Sequence, residues 1–281
     1  MRRLLGRYAR LVTAGRTYNP AVAVNDQTTD RPRAAALSFF FPAHNEAENI
    51  EALVAEALEV LPLLAEQFEI IAVDDGSRDA TPRLADELAA RHMQVRAVHH
   101  EVNRGYGAAL RSGFRAARYE LVCFLDGDRQ FHVEDLGRLL ERQAQADHPD
   151  VVVGYRLKRA DPFVRLAYAR AYRLALRIFF GLKVRDPDCA CKLFRRSALQ
   201  GIRVESDGGF LSGELLVKLL GRRRTIAEVG VPHYPRLAGR QTGANPKVVL
   251  RAVRDFWRLR LRLWFRRGTA LDRGEPLLAE G

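Results

Sequence analysis

The sequence predicts an α/β fold: a Rossmann-like, mostly parallel sheet with helices on both faces, followed by an amphipathic helix. Two observations carry that prediction. From Ala34 onward, apolar runs of strand length alternate with stretches whose apolar residues recur at helical spacing. A repeated strand, helix, strand order brings right-handed crossovers and parallel pairing. The apolar runs also end in acidic and small residues, as strands do when they deliver polar groups to the carboxyl edge of an open sheet. A chain of 281 residues with 47% hydrophobic content can bury the core this requires.

In order, residues 36–41 form the first strand. Residues 45–61 form a helix with Ile50, Leu53, Val54, Ala57 and Leu61 on one face. Residues 68–73 form the second strand. Asp79 or Thr81 caps the next helix, which has Pro82 in its first turn and runs to His92. A third strand covers 94–99, a helix spans 107–118, and the fourth strand runs from Leu121 and ends on Asp126. After a fifth strand at 150–153, a long helix over 162–181 carries Arg170, Arg173 and Arg177 at steps of three and four, one basic stripe. Residues 245–267 are helical, with Val249, Val253, Phe256, Leu259 and Leu263 on one side, Trp257 and Trp264 nearby, and arginines elsewhere. Such a helix suits the plane of a membrane interface, and docking onto the domain is the structural alternative. The chain thus divides into a basic segment and linker (1–33), an α/β domain (34–244), a basic amphipathic helix (245–267) and a flexible tail (268–281).

Charge follows this division. The net +12 is concentrated at the ends: residues 1–25 carry five arginines and no acid, and residues 245–267 carry seven arginines and Lys247 against Asp255. Basic ends of this kind seek anionic surfaces; with leucine and tryptophan among the charges, the expected partner is an anionic membrane surface rather than nucleic acid. No apolar run approaches the roughly 18 residues of a membrane span. The expected location is the cytoplasmic face of a membrane, reached peripherally. Three cysteines, Cys123, Cys189 and Cys191, indicate neither a disulfide framework nor a zinc site, and read as reduced, half-buried thiols.

The strand ends hold the chemistry. Asp126-Gly127-Asp128 follows the run 121–125 directly. Residues i and i+2 of an extended segment point the same way, so both carboxylates can meet one hard cation, with Gln130 adding a neutral oxygen. Oxygen-only ligation suits Mg²⁺ or Mn²⁺ shared with phosphates; the bland alternative is a surface turn. Phe41-Pro42-Ala43-His44-Asn45-Glu46 ends the first strand and Val73-Asp74-Asp75-Gly76-Ser77 the second. Carboxylates there can accept from a base or a ribose. Asn103-Arg104-Gly105-Tyr106-Gly107 opens a helix, so backbone N–H groups and Arg104 can face a phosphate.

Together these four segments, with Arg129-Gln130 completing the last, resemble the family 2 inverting glycosyltransferases of the GT-A fold. Within them the chain is most similar to polyprenyl-phosphate glycosyltransferases of the dolichyl-phosphate mannose synthase type, over about residues 36–249. The resemblance implies that Pro42, Ala43, Asn45, Glu46, Asp74, Asp75, Ser77, Arg104 and Gly105 hold a nucleotide diphosphate sugar. Arg236 and Arg240 then lie near its diphosphate, and Asp126, Asp128 and Gln130 hold Mg²⁺ or Mn²⁺. Arg156, Arg170 and Asp186 stand where the phosphate of a polyprenyl phosphate acceptor is held. The implied reaction is metal-dependent transfer of a hexose, from a donor of the GDP-mannose or UDP-glucose type, with inversion; Asp128, Asp126, Arg156 and Arg170 are its catalytic candidates. The chain departs from the family pattern at Ala190-Cys191, where Gly-Phe is usual, and at Gln241, where Ser is usual. Glu214 reads either as an active-site carboxylate or as a favourable charge at a helix start. A saccharide or another lipid as acceptor, and a non-catalytic nucleotide or nucleic-acid binding module, are the competing readings. The sequence leaves the oligomeric state open.

Overall fold

The computed structural model describes residues 33–157, 163–236, 246–265 and 273–278. Expectations for residues 1–32, and for Arg240 and Gln241, lie outside the described residues. The elements run β1 (Ala34–Ala43), α1 (Ile50–Leu64), β2 (Ala65–Asp74), α2 (Thr81–Arg91), β3 (Val95–His99), α3 (Tyr106–Ala116), β4 (Leu121–Phe124), α4 (Leu136–Gln143), β5 (Val151–Arg156) and α5 (Phe163–Phe180). Then come β6 (Lys192–Arg195), α6 (Arg196–Leu199), β7 (Arg203–Val204), α7 (Leu211–Gly221), β8 (Ile226–Val231), α8 (Pro246–Phe265) and β9 (Glu275–Pro276).

Among the described residues seven strands form one sheet in the order β3-β2-β1-β4-β6-β5-β8. β1 pairs in parallel with β2 and β4, β2 with β3, and β5 with β8; β6 alone runs antiparallel, between β4 and β5. The mostly parallel sheet is therefore as expected, with one inserted antiparallel strand that the sequence reading did not contain. Strands covered on both faces read as continuous apolar runs. Phe39, Phe40 and Phe41 of β1 are accordingly all fully buried, on both sides of the sheet. Phe40 meets Phe114 edge-on and stacks near Phe124, with ring centroids 5.0 and 5.2 Å away. Gly113 makes that approach possible: a Cβ there would lie 2.2 Å from the Phe40 ring.

Several boundaries move for physical reasons. α1 starts at Ile50 rather than 45, because Asn45 takes a left-handed backbone (φ 56°) and the intervening residues form the loop at the carboxyl edge. β4 stops at Phe124, so Asp126 and Asp128 sit on the loop beyond the strand. The expected apolar face of α8 divides: Phe256 and Leu259 are buried against the domain, whereas Val249 and Val253 are exposed. Trp264 and Phe265 are 66% and 78% exposed. The flexible tail is corrected at 273–278. β9 pairs with β7, Leu277 and Leu278 are buried, and Arg115 donates to the Pro276 carbonyl at 2.8 Å. The adjacent leucines Leu277 and Leu278 in the tail were the signal for that docking. The cysteines are fully buried rather than half-buried, and burial pushes the Cys189 thiol up to about 12. No helix among the described residues is long and apolar enough to cross a membrane.

Candidate active site

Parallel pairing brings the ends of β1, β2 and β4 to one edge. The register sets Ala43 beside Asp74 and Asp74 beside His99, while Phe40 lies beside Phe124. The ends of these strands and the loops that follow carry most of the donor-side candidates, Arg104 and Gly105 follow β3, and the loops after β1 and β2 are joined by side-chain bonds. The Asn45 backbone N–H donates to Ser77 Oγ at 2.9 Å, and Asn45 Oδ1 accepts from the Arg78 N–H at 2.9 Å. Pro42 places its carbonyl against Gly127, where a Cβ would lie 2.7 Å from the oxygen, so the first and fourth strand ends are in contact.

Asp74 and Asp75 are buried and bonded within the chain. Asp74 accepts from the Ser77 N–H at 3.0 Å and pairs with His99 at 3.1 Å. Asp75 takes the N–H groups of Arg104 (2.9 Å) and Gly105 (2.8 Å) and meets His100 Nδ1 at 2.7 Å. This corrects the expectation that the loop N–H groups of 104 and 105 face a phosphate: a buried carboxylate requires hydrogen-bond donors, and these two supply them.

Asp126 is half-buried, and its Oδ1 accepts from the Tyr106 hydroxyl at 2.8 Å. Burial, reinforced by the negative charge of Asp128, holds its carboxyl above the ordinary carboxylate range; Tyr106, Lys192 and Arg156 pull the other way. Burial and the same carboxylate keep the Tyr106 phenol well above its usual value, so it remains a donor. Asp126, whose charge is opposed by burial and by its neighbour Asp128, forms with it on one tight loop an oxygen donor set that a hard divalent cation would neutralise. Among the described residues no group of three or more His, Cys, Asp or Glu could hold a metal. Gln130 is adjacent: its N–H donates to Asp128 Oδ1 at 3.1 Å and its side-chain amide to the Tyr234 carbonyl at 3.3 Å.

Arg236 reaches this carboxylate loop from far along the chain. It hydrogen-bonds Glu46 and lies 3.6 Å from Asp128 Oδ2, so one guanidinium spans the first and fourth strand ends. Across the inserted strand, Arg156 at the end of β5 holds Asp186 in a two-pronged pair, Nε to Oδ2 at 2.6 Å and Nη2 to Oδ1 at 2.8 Å. Arg170 stands exposed on α5 with Arg173 and Arg177. Glu214 is resolved in favour of the structural reading. It is 2% exposed, accepts the N–H groups of Glu205 and Ser206 at 2.9 Å each, and pairs with buried Lys218 at 3.0 Å.

Two residues were not foreseen. Tyr106 carries no role of its own in the sequence analysis, although a tyrosine at a helix start beside the ligand edge carries a hydroxyl donor. Lys192 is 1% exposed on β6, directly opposite Phe124, bonded to the Cys189 carbonyl and with its pKa lowered by burial. A lysine leading the apolar pair Leu193-Phe194 was the available signal.

Residues 38–203 match the family described as glycosyl transferase family 2. That match covers more than half of the chain. The chain belongs to the family 2 glycosyltransferases. Among curated relatives of this family 2 protein, glycosyltransferase AglD of Haloferax volcanii is 34% identical over 227 residues, 74% of this chain and 35% of the relative. The undecaprenyl-phosphate 4-deoxy-4-formamido-L-arabinose transferase of Pseudomonas aeruginosa is 34% identical over 205 residues, 72% of this chain and 59% of the relative. The chain thus spans only part of these two proteins. The polyprenol monophosphomannose synthase of Mycolicibacterium smegmatis is 30% identical over 260 residues, 88% of this chain and 95% of the relative. Among solved structures, glucosyl-3-phosphoglycerate synthase of Mycobacterium tuberculosis with Mn²⁺, UDP-glucose and glycerol 3-phosphate superposes with a TM-score of 0.64 at 19% identity. It covers 89% of this chain and 86% of that one, a likeness of fold.

Proposed function

We propose that this family 2 glycosyltransferase moves a hexose from a nucleotide diphosphate sugar to a polyprenyl phosphate, with inversion, on the cytoplasmic face of a membrane. The observation that carries the reading is the meeting of Asp126, Asp128 and Arg236 at one sheet edge, with the Arg156–Asp186 pair across β6 from it. The relatives named for polyprenol and undecaprenyl phosphate support the acceptor class.

In this reading Pro42, Ala43, Asn45, Glu46 and Ser77 shape the nucleotide cradle, and Asp74 and Asp75 brace it from below. Asp126 and Asp128 hold a divalent cation, with Gln130 beside them; when bound, that cation neutralises charge gathering on the departing diphosphate. Arg236, parked between Glu46 and Asp128, donates to the same diphosphate as the bond to the sugar breaks. Arg156, its fork oriented by Asp186, directs the acceptor phosphate at the opposite face of the sugar, and Arg170 meets it from α5. A phosphate monoester is largely ionised at neutral pH, so attack needs no dedicated base.

The membrane side of the proposal rests on α8 and α5. Leu250, Trp264 and Phe265 of α8 are 71%, 66% and 78% exposed, as are Leu174 and Ile178 of α5 at 56% and 66%. They are interleaved with exposed arginines, the composition of an interfacial helix.

The test is transfer from radiolabelled GDP-mannose or UDP-glucose, in separate tubes with Mn²⁺ or Mg²⁺ and a polyprenyl phosphate, followed by organic extraction. Label entering the organic phase as a mild-acid-labile product is the expected result. Donor bound or hydrolysed in every tube with no label extracted overturns the lipid acceptor.

A further inference from the structure

We propose that Tyr106 is a positioning residue for Asp126, and that Asp75 serves as its mount rather than as a nucleotide ligand. The inference rests on the reading of Asp126 as a metal ligand and extends it to the residues that aim it.

Each carboxylate of the pair has a partner that sets its direction. Asp128 is held through its own loop, by the Gln130 N–H at 3.1 Å, and by Arg236 at 3.6 Å. Asp126 is held from another element altogether, by the Tyr106 hydroxyl on Oδ1 at 2.8 Å. A donor on one oxygen of a carboxylate stops rotation about its last bond and leaves the second oxygen to face a cation. Bonds of this kind behind a ligand orient it and raise its affinity.

The hydroxyl can do this only if the turn that carries the ring does not move, and the chain holds that turn from both sides. On one side Asp75 accepts from the N–H groups of Arg104 and Gly105, and is itself held by His100, which contacts Ser112 Oγ of α3 at 2.8 Å. On the other, the Gly107 N–H donates to the Asp207 carbonyl at 2.8 Å. Gly105 has φ +98°, and a Cβ there would lie 2.6 Å from the same carbonyl, so the turn that presents Tyr106 is closely fitted. The connection runs from the end of β2 through the 103–107 loop to the end of β4. It links two strand ends that are not neighbours in the sheet, since β1 lies between them.

The experiment titrates the full chain with Mn²⁺ alone, following free Mn²⁺ by electron paramagnetic resonance, for wild type, Tyr106→Phe and Asp126→Asn. Metal-free melting curves of wild type and Tyr106→Phe should coincide, because the substitution removes one hydroxyl from a half-buried ring. The expected result is about tenfold weaker Mn²⁺ binding by Tyr106→Phe and a larger loss for Asp126→Asn. In transfer assays the Tyr106→Phe defect should fall on the KM for Mn²⁺ and be recovered by excess Mn²⁺. Wild-type Mn²⁺ affinity in Tyr106→Phe, with Asp126→Asn impaired, overturns the positioning role and leaves the metal reading intact. Wild-type affinity in Asp126→Asn overturns the metal reading and the proposal with it. Gly105→Ala is the second variant. It keeps the hydroxyl but shifts the turn, and should weaken Mn²⁺ binding as well; unchanged binding in a folded Gly105→Ala protein would show that the mount is not needed.

Discussion

The sheet edge proposed to hold the donor and the two helices proposed to meet a lipid surface are built in opposite ways. At the donor edge, around the ends of β1, β2 and β4, most polar side chains are bonded to another part of the chain: Asp74 to His99, Asp75 to the 104–105 backbone, Asp126 to Tyr106, Glu46 to Arg236. On the acceptor side, α5 and α8 expose arginines beside leucine, isoleucine and tryptophan. In the proposed function the difference follows from what each would recognise. A nucleotide diphosphate has one shape and its charge must be met without delay, so preorganised groups are favoured. A lipid surface is fluid, and long side chains that find headgroups suit it better.

The largest expected effect lies at the donor edge. Asp128→Asn should lower the transfer rate by about 10²- to 10³-fold or more, read in the extraction assay, while the protein melts as wild type. Full activity in that variant would break the assignment of the edge as catalytic. Next, Glu214→Gln should be a stability variant without a catalytic one. It leaves the buried Lys218 ammonium without its counter-charge, with only the Arg203 and Arg273 carbonyls to accept from it, and removing one partner of a buried pair costs about 3 to 5 kcal/mol, visible in urea unfolding. The activity of the folded fraction should stay at wild type; a lower kcat there would return Glu214 to the site.

On the acceptor side effects should be smaller and spread out. Replacing Trp264 and Phe265 together by Ala should weaken sedimentation with vesicles of anionic lipid and leave nucleotide-sugar binding unchanged. Arginine contributions of about 1 kcal/mol each near such a surface should make the binding fall with salt. Vesicle binding equal to wild type would remove α8 from the interface.

The smallest effect is electrostatic and returns to the donor edge. Burial pulls the His99 pKa down, but its hydrogen bonds to Asp74 and Asp86 outweigh that, and the net shift is upward. A raised pKa in the folded state means the protonated ring stabilises the fold. That contribution is complete below the unfolded value of about 6.5 and is lost as pH rises through the folded value. The melting temperature should therefore drop modestly between pH 6 and pH 8, and Asp86→Asn should flatten the drop. An identical pH profile in both proteins would show that the ring is not held in its charged form.

The donor half was the more legible region. Its segments are contiguous, each a strand followed at once by its polar loop, so the apolar run and the residues after it could be read together at 41–46, 73–77 and 125–130. The acceptor half was harder because its pieces are local in structure but not in sequence. Arg156 and Asp186 are 30 residues apart, and the residues between them include a whole helix. The tail was misread for a related reason: Leu277 and Leu278 look like an isolated pair until the Ile202 carbonyl accepts from the Leu277 N–H and Arg115 bonds the Pro276 carbonyl, contacts with residues 75 and 161 positions away.

By itself the sequence determined the alternation of strands and helices, the parallel sheet, and the placement of carboxylates at strand ends, because side-chain periodicity and turn chemistry are local properties of the chain. Only the tertiary structure decided that β6 enters antiparallel between β4 and β5, that Arg236 closes on Glu46 across 190 residues, and that Tyr106 reaches Asp126. Those contacts depend on the order of strands in the sheet, which is selected by packing over the whole core and leaves no periodic trace in the residues that make them.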